Sequence, residues 1–105
     1  MCGRYFLDDT EEANERLLNL LRGLLESGDP LASQVHTGEI FPTQLAPVIV
    51  ADGGRVTVRA MRWGFPRGGG RGVVINSRSE KADHTPMFQR AVRERRCLVP
   101  VSGFY

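Results

Sequence analysis

Leu17, Leu20, Leu21, Leu24 and Leu25 recur at spacings of three and four, the period that lines side chains along one face of a helix. Asp9 and Thr10 precede this run as N-cap residues, with Glu12 three positions after Asp9, and Gly28 follows as a stop. The pattern predicts an amphipathic helix over about 10–27 whose leucine stripe is core. Further on the period changes. Residues 46–50 and 56–63 are rich in β-formers and separated by Asp52-Gly53-Gly54, which predicts a hairpin. Residues 73–75 and 97–101 supply two more apolar runs. Pro86 is placed to open a short helix over about 86–95, with Met87, Phe88, Ala91 and Val92 facing inward. Without internal repeats, these elements predict a single domain over 1–105, of α+β class, with an incomplete, barrel-like mixed or antiparallel sheet.

A chain of 105 residues can bury a core, though a modest one. No apolar run approaches the roughly 20 residues of a membrane span. Two cysteines without a secretory signal predict a reducing cytosol, and Cys97 reads as core. Cys2, Cys97, His36 and His84 show no paired ligand spacing, so no metal is expected, and no other cofactor either. The net charge of +2 conceals a division. Residues 1–54 hold three arginines against nine acids, whereas residues 55–105 hold ten arginines and Lys81 against three acids. Arginine grips phosphate bidentately and stacks on bases, so a cation set that is almost all arginine favours a polyanionic partner. The run Arg67-Gly68-Gly69-Gly70-Arg71-Gly72 reads either as a flexible connector or as a loop whose open backbone amides approach phosphates.

The second residue carries the sharpest chemistry. Trimming of Met1 leaves Cys2 as the mature N-terminus, with an α-amine of pKa about 7.7–8.0 beside a thiol of about 8.5. Such an aminothiol condenses with an aldehyde to a Schiff base, which the thiolate closes to a five-membered thiazolidine. The competing reading is a buried apolar cysteine opening a strand.

Several separated stretches share one resemblance. Cys2-Gly3-Arg4-Tyr5, Phe41-Pro42-Thr43-Gln44, Arg62-Trp63-Gly64-Phe65-Pro66, residues 75–80 (INSRSE) and residues 96–105 (RCLVPVSGFY) together resemble the SRAP family, SOS-response-associated peptidase-like proteins that shield abasic sites in DNA. The resemblance implies that Cys2 attacks the ring-opened aldehyde of an abasic site in single-stranded DNA. It makes Asn76 the group that orients the amine and the sugar, against a plain turn residue closing a strand. Arg4 and Arg78 match arginines holding phosphates beside the lesion, against a surface ion pair of Arg78 with Glu80. Phe41 and Pro42 lie where the family shapes a pocket around displaced bases, and Phe41 has a face for stacking. Trp63 and Phe65 fit a core or cleft wall better than a stacking platform. Arg67 and Arg71 stand where some relatives carry tryptophans. A bacterial, cytoplasmic, nucleoid-associated location is implied as well.

Two departures accompany the resemblance. The sequence ends at Tyr105, where the family's pattern continues with a catalytic glutamate, and later a histidine; a truncated product or a complementing C-terminal fragment accounts for this, and self-association through the exposed sheet edge is expected. Glu39 and Phe41 stand where many relatives have asparagine and alanine. The function expected is covalent capture of abasic sites, slowed by the missing acid and histidine. The alternatives are an N-terminal-cysteine peptidase and a single-strand-binding remnant without chemistry.

Overall fold

The computed structural model describes residues 3–8, 10 and 15–105. Cys2, Asp9 and Glu12, on which the nucleophile and capping expectations fall, lie outside the described residues. In chain order the elements are β1 (Tyr5–Leu7), α1 (Glu15–Glu26), a 3-10 turn (Ala32–Gln34), β2 (Gly38–Ile40), β3 (Leu45–Asp52), β4 (Arg55–Arg62), β5 (Phe65–Pro66), β6 (Val73–Val74), α2 (Ser79–Ala82), α3 (Pro86–Glu94), β7 (Cys97–Leu98) and β8 (Gly103–Phe104). The α+β expectation holds. Among the described residues the strands form three antiparallel sheets, ordered β2-β1-β8, β4-β3-β7 and β5-β6, and none closes into a barrel.

The β3–β4 hairpin pairs eight residues without a slip, from Leu45↔Arg62 to Asp52↔Arg55. Gly53 and Gly54 both take positive φ, 57° and 82°, the backbone that matches the twist of the flanking strands in a two-residue turn. The apolar run of β3 is buried over its first half, Leu45–Val48, and loses cover toward the turn. On one face Leu24 of α1 packs with Ala32 and Ala60, supported by Val35 and Val58. A second cluster gathers Tyr5, Leu7, Leu17, Ile40 and Ala46, with Leu21 and Trp63 against it. Asp29 ties these parts together: its carboxylate accepts hydrogen bonds from the backbone N–H of Leu31 (2.9 Å) and of Ala60 (3.1 Å). Those bonds, the one from Leu31 first, hold its carboxyl below the usual aspartate range.

Three core expectations need correction. Leu25 is 63 % exposed, lying about 100° round the helix from Leu24, which is fully buried. Met87 is exposed at the start of α3, whereas Phe88 packs edge-on to Phe65 at 5.1 Å. Cys97 is exposed, since β7 pairs only two residues, Val50↔Cys97 and Ile49↔Leu98, at the rim of the sheet. Beyond it Leu98, Val99, Val101, Phe104 and Tyr105 are all exposed. The second face of the β3–β4 hairpin is likewise open, forming a cleft of about 860 Å³ walled by Val48, Val50, Met61, Phe65, Ala91 and Val99.

Gly64 is required where the chain leaves β4 for β5. Its φ is +114°, and a Cβ there would stand 2.6 Å from Cγ2 of Val73 on β6. Replacing Gly64 by alanine should destabilise the fold by about 2–4 kcal/mol, through backbone strain and the clash together. Gly68, with open space and no positive φ, should tolerate the same change. Thermal unfolding of both variants decides this; a Gly64→Ala protein melting with Gly68→Ala would refute the placement of the β5–β6 hairpin.

Candidate nucleic-acid interface

Strand register places the first candidate residues. Tyr5 of β1 lies between Ile40 of β2 and Phe104 of β8, and Phe6 lies between Glu39 and Gly103. One step further along both ladders, Arg4 falls between Phe41 and Tyr105. Because side chains alternate across a sheet, Tyr5, Leu7 and Ile40 enter the core while Arg4, Phe6, Glu39, Phe41 and Tyr105 share the opposite, outward face. Gly103 completes that face, since any Cβ there would collide with Cε1 of Phe6.

The outward face is organised around Arg4. Its guanidinium carbon lies 4.3 Å from the centroid of the Tyr105 ring and 5.9 Å from that of Phe41, both within reach of a cation–π contact. A guanidinium nitrogen stands 3.6 Å from Oε1 of Glu39, and the Tyr105 hydroxyl donates to the same oxygen at 2.8 Å. That hydrogen bond, lost when the phenol ionises, raises the Tyr105 pKa above the ordinary tyrosine range. Phe6 and Tyr105 stack at a tilt with 6.5 Å between rings.

Phe41 is presented by a tight turn over residues 41–44. Thr43 has φ +75°, a left-handed conformation costly for a β-branched residue. Four hydrogen bonds hold it there. The Phe41 N–H donates to the Gln44 side chain (2.9 Å), Thr43 N–H to the Trp63 carbonyl (2.8 Å), Trp63 N–H to the Gln44 carbonyl (3.0 Å), and Arg62 to the Thr43 carbonyl (2.6 Å). Pro42 sits at the second position of this turn, where its fixed φ is an advantage.

The other candidates lie on separate elements. Trp63 is half-buried with its ring 5.5 Å from Tyr5, which makes it a wall between core and cleft. Asn76 is exposed in the segment between β6 and α2, and Arg78 directly precedes α2. Arg67 and Arg71 flank the turn of the β5–β6 hairpin. Among the described residues the side chains of Arg67, Arg71 and Arg78 enter no ion pair, so the Arg78–Glu80 pair does not form. The structure thus brings together Arg4, Phe41 and Pro42, and adds Glu39, Gln44 and Tyr105, which sequence reasoning had given no role at the site. Neither β1 nor β2 was expected from the sequence, and the register that sets Glu39 and Tyr105 beside Arg4 follows only from their pairing. No helix among the described residues is long and apolar enough to cross a membrane.

A model of the SOS response associated peptidase (SRAP) family matches residues 1–105. Two curated relatives, the Abasic site processing protein YoqW of Bacillus subtilis (strain 168) and that of Bacillus phage SPbeta, are each 26 % identical over 111 residues, covering 100 % of this chain and 47 % of the relative. The chain therefore spans about half the length of the curated relatives it matches. No solved structure gives a significant match.

Proposed function

Because the chain belongs to the SRAP family, whose model matches it from residue 1 to residue 105, we propose that it binds single-stranded DNA and captures abasic sites through a mature N-terminal Cys2. The observation that carries this reading is the exposed Phe41–Arg4–Tyr105 stack, whose Arg4 follows Cys2 by two positions in the sequence. Stacked rings and a guanidinium plane take a base without regard to its identity. A site that unstacks the neighbours of a lesion in this way leaves the sugar aldehyde beside the aminothiol.

The chemistry balances without a cofactor. The Cys2 amine adds to the aldehyde carbon, the carbonyl oxygen leaves as water, and the thiolate closes onto the imine carbon as the nitrogen takes up a proton. Asn76 serves here as a neutral donor and acceptor for the amine and the sugar. Arg67, Arg71 and Arg78 supply the phosphate contacts, with Trp63 and Pro42 shaping the pocket floor. The direct test is incubation with an abasic single-stranded oligonucleotide and with its undamaged counterpart. A heat-stable adduct on the abasic strand alone supports the reading, and its absence refutes it. Cleavage of a peptide extension placed ahead of Cys2 would instead point to peptidase chemistry.

Undamaged single strands should bind weakly and with steep salt dependence. Each phosphate contact contributes about 0.7 to the slope of log affinity against log salt on single strands. Arg78→Ala should therefore reduce the slope by about 0.7. A salt titration in which wild type and Arg78→Ala share one slope would remove Arg78 from the phosphate path.

A further inference from the structure

We infer that Glu39 selects the nucleobase received by the Phe41–Arg4–Tyr105 stack, favouring guanine; the inference rests on the single-strand-binding reading above. Phosphate is a poor occupant for this patch, because the Glu39 carboxylate lies 3.6 Å from the Arg4 guanidinium and offsets its charge. What remains is a nearly neutral surface of two rings and a guanidinium plane with one carboxylate at its edge. Such a surface fits a base. Phe41, Arg4 and Tyr105 all keep exposed surface at this patch.

The carboxylate is also held in place with capacity left over. Tyr105 and Arg4 both address Oε1, while Oε2 makes no hydrogen bond to any described residue. An ionised carboxylate only accepts, and its two oxygens match two parallel N–H donors. On the Watson–Crick edges of the four bases, only guanine offers two adjacent donors, N1–H and the N2 amine. Adenine and cytosine set an acceptor nitrogen beside their amine, and thymine flanks its single N–H with two carbonyls; each of these acceptors would face the carboxylate unfavourably. Tyr105 and Arg4 hold Glu39 in position, so they act on selection through it as well as by stacking.

Fluorescence anisotropy of the full chain with a labelled heptathymidylate, and with the same strand carrying one central guanosine or inosine, tests this directly. Guanosine should tighten binding about fivefold over all-thymidine, at the lower end for a bidentate base contact because the site is exposed. Inosine, which lacks the N2 amine, should fall between. Glu39→Gln should bring the guanosine-to-thymidine ratio below about twofold, since one of its terminal groups becomes a donor. The same variant should bind heptathymidylate more tightly, having lost a negative charge near phosphates. Tyr105→Phe, which keeps the ring but frees the carboxylate, should lower the ratio partly, while Arg78→Ala should weaken all strands and leave the ratio intact. A wild-type ratio near one, or a ratio that Glu39→Gln leaves unchanged, overturns the inference. Adduct formation on an abasic strand is scored separately: guanine selection without an adduct would sink the capture chemistry and keep the subsite, and an adduct without selection would do the reverse.

Discussion

Replacing Cys2 by alanine is expected to abolish the heat-stable adduct with abasic single-stranded DNA while leaving affinity for undamaged strands within about twofold, since no arginine of the phosphate path changes. The asymmetry follows from the chemistry. Alanine keeps the α-amine, so a Schiff base can still form, but an imine without a thiol to close it hydrolyses on heating. Cys2→Ser places a weaker nucleophile at the same point and should give at most a reversible adduct. Intact mass supplies the necessary control, because the aminothiol exists only once Met1 is gone. An alanine variant that crosslinks as well as wild type would show that another group attacks the sugar, and retention of Met1 on an active protein would do the same.

The second large effect concerns the open apolar surface. The cleft on the free face of β3–β4 and the exposed run from Leu98 to Tyr105 present apolar area that water penalises. The outer edge of β8 has no partner strand among the described residues. More than half of each curated relative's length lies outside the matched stretch, and the family resemblance places an acid and a histidine there. Residues 1–105 alone should consequently crosslink slowly, by about 10²–10⁴-fold relative to a full-length relative, the usual cost of a lost general acid-base group. They should also self-associate or unfold with little cooperativity. Adding the remaining half of a relative in trans should raise the trapping rate and yield one defined heterodimer in sedimentation. A stable, cooperative monomer of residues 1–105 that reacts at the relative's rate would show that neither the cleft nor the distant residues matter.

Local patterns carried much of the fold because they depend on neighbours in sequence. The leucine spacing located α1, although the structure begins the described helix at Glu15; its predicted caps Asp9 and Glu12 fall outside the described residues. Asp52-Gly53-Gly54 located the hairpin because glycine takes two successive positive φ values without steric cost. Pro86 opened α3 as its fixed φ requires. The run at 97–101 was less faithful. It pairs at only two residues, since pairing depends on which strand edge is within reach rather than on composition. Cys97 and Leu25 were misplaced for a related reason: apolar character signals a tendency to be buried, and tertiary packing decides which apolar residues succeed.

By itself the sequence determined the class of fold, the hairpin, the two main helices and the arginine-rich second half. These are set by side-chain chemistry and by short-range periodicity, which need no knowledge of distant partners. Only the tertiary structure decided that Arg4 stands between Phe41 and Tyr105 and against Glu39, residues up to 101 positions apart in the chain. Antiparallel register made that choice. A slip of one residue in either ladder would turn Glu39 or Tyr105 to the other face, and no local pattern encodes which register two separate strands adopt.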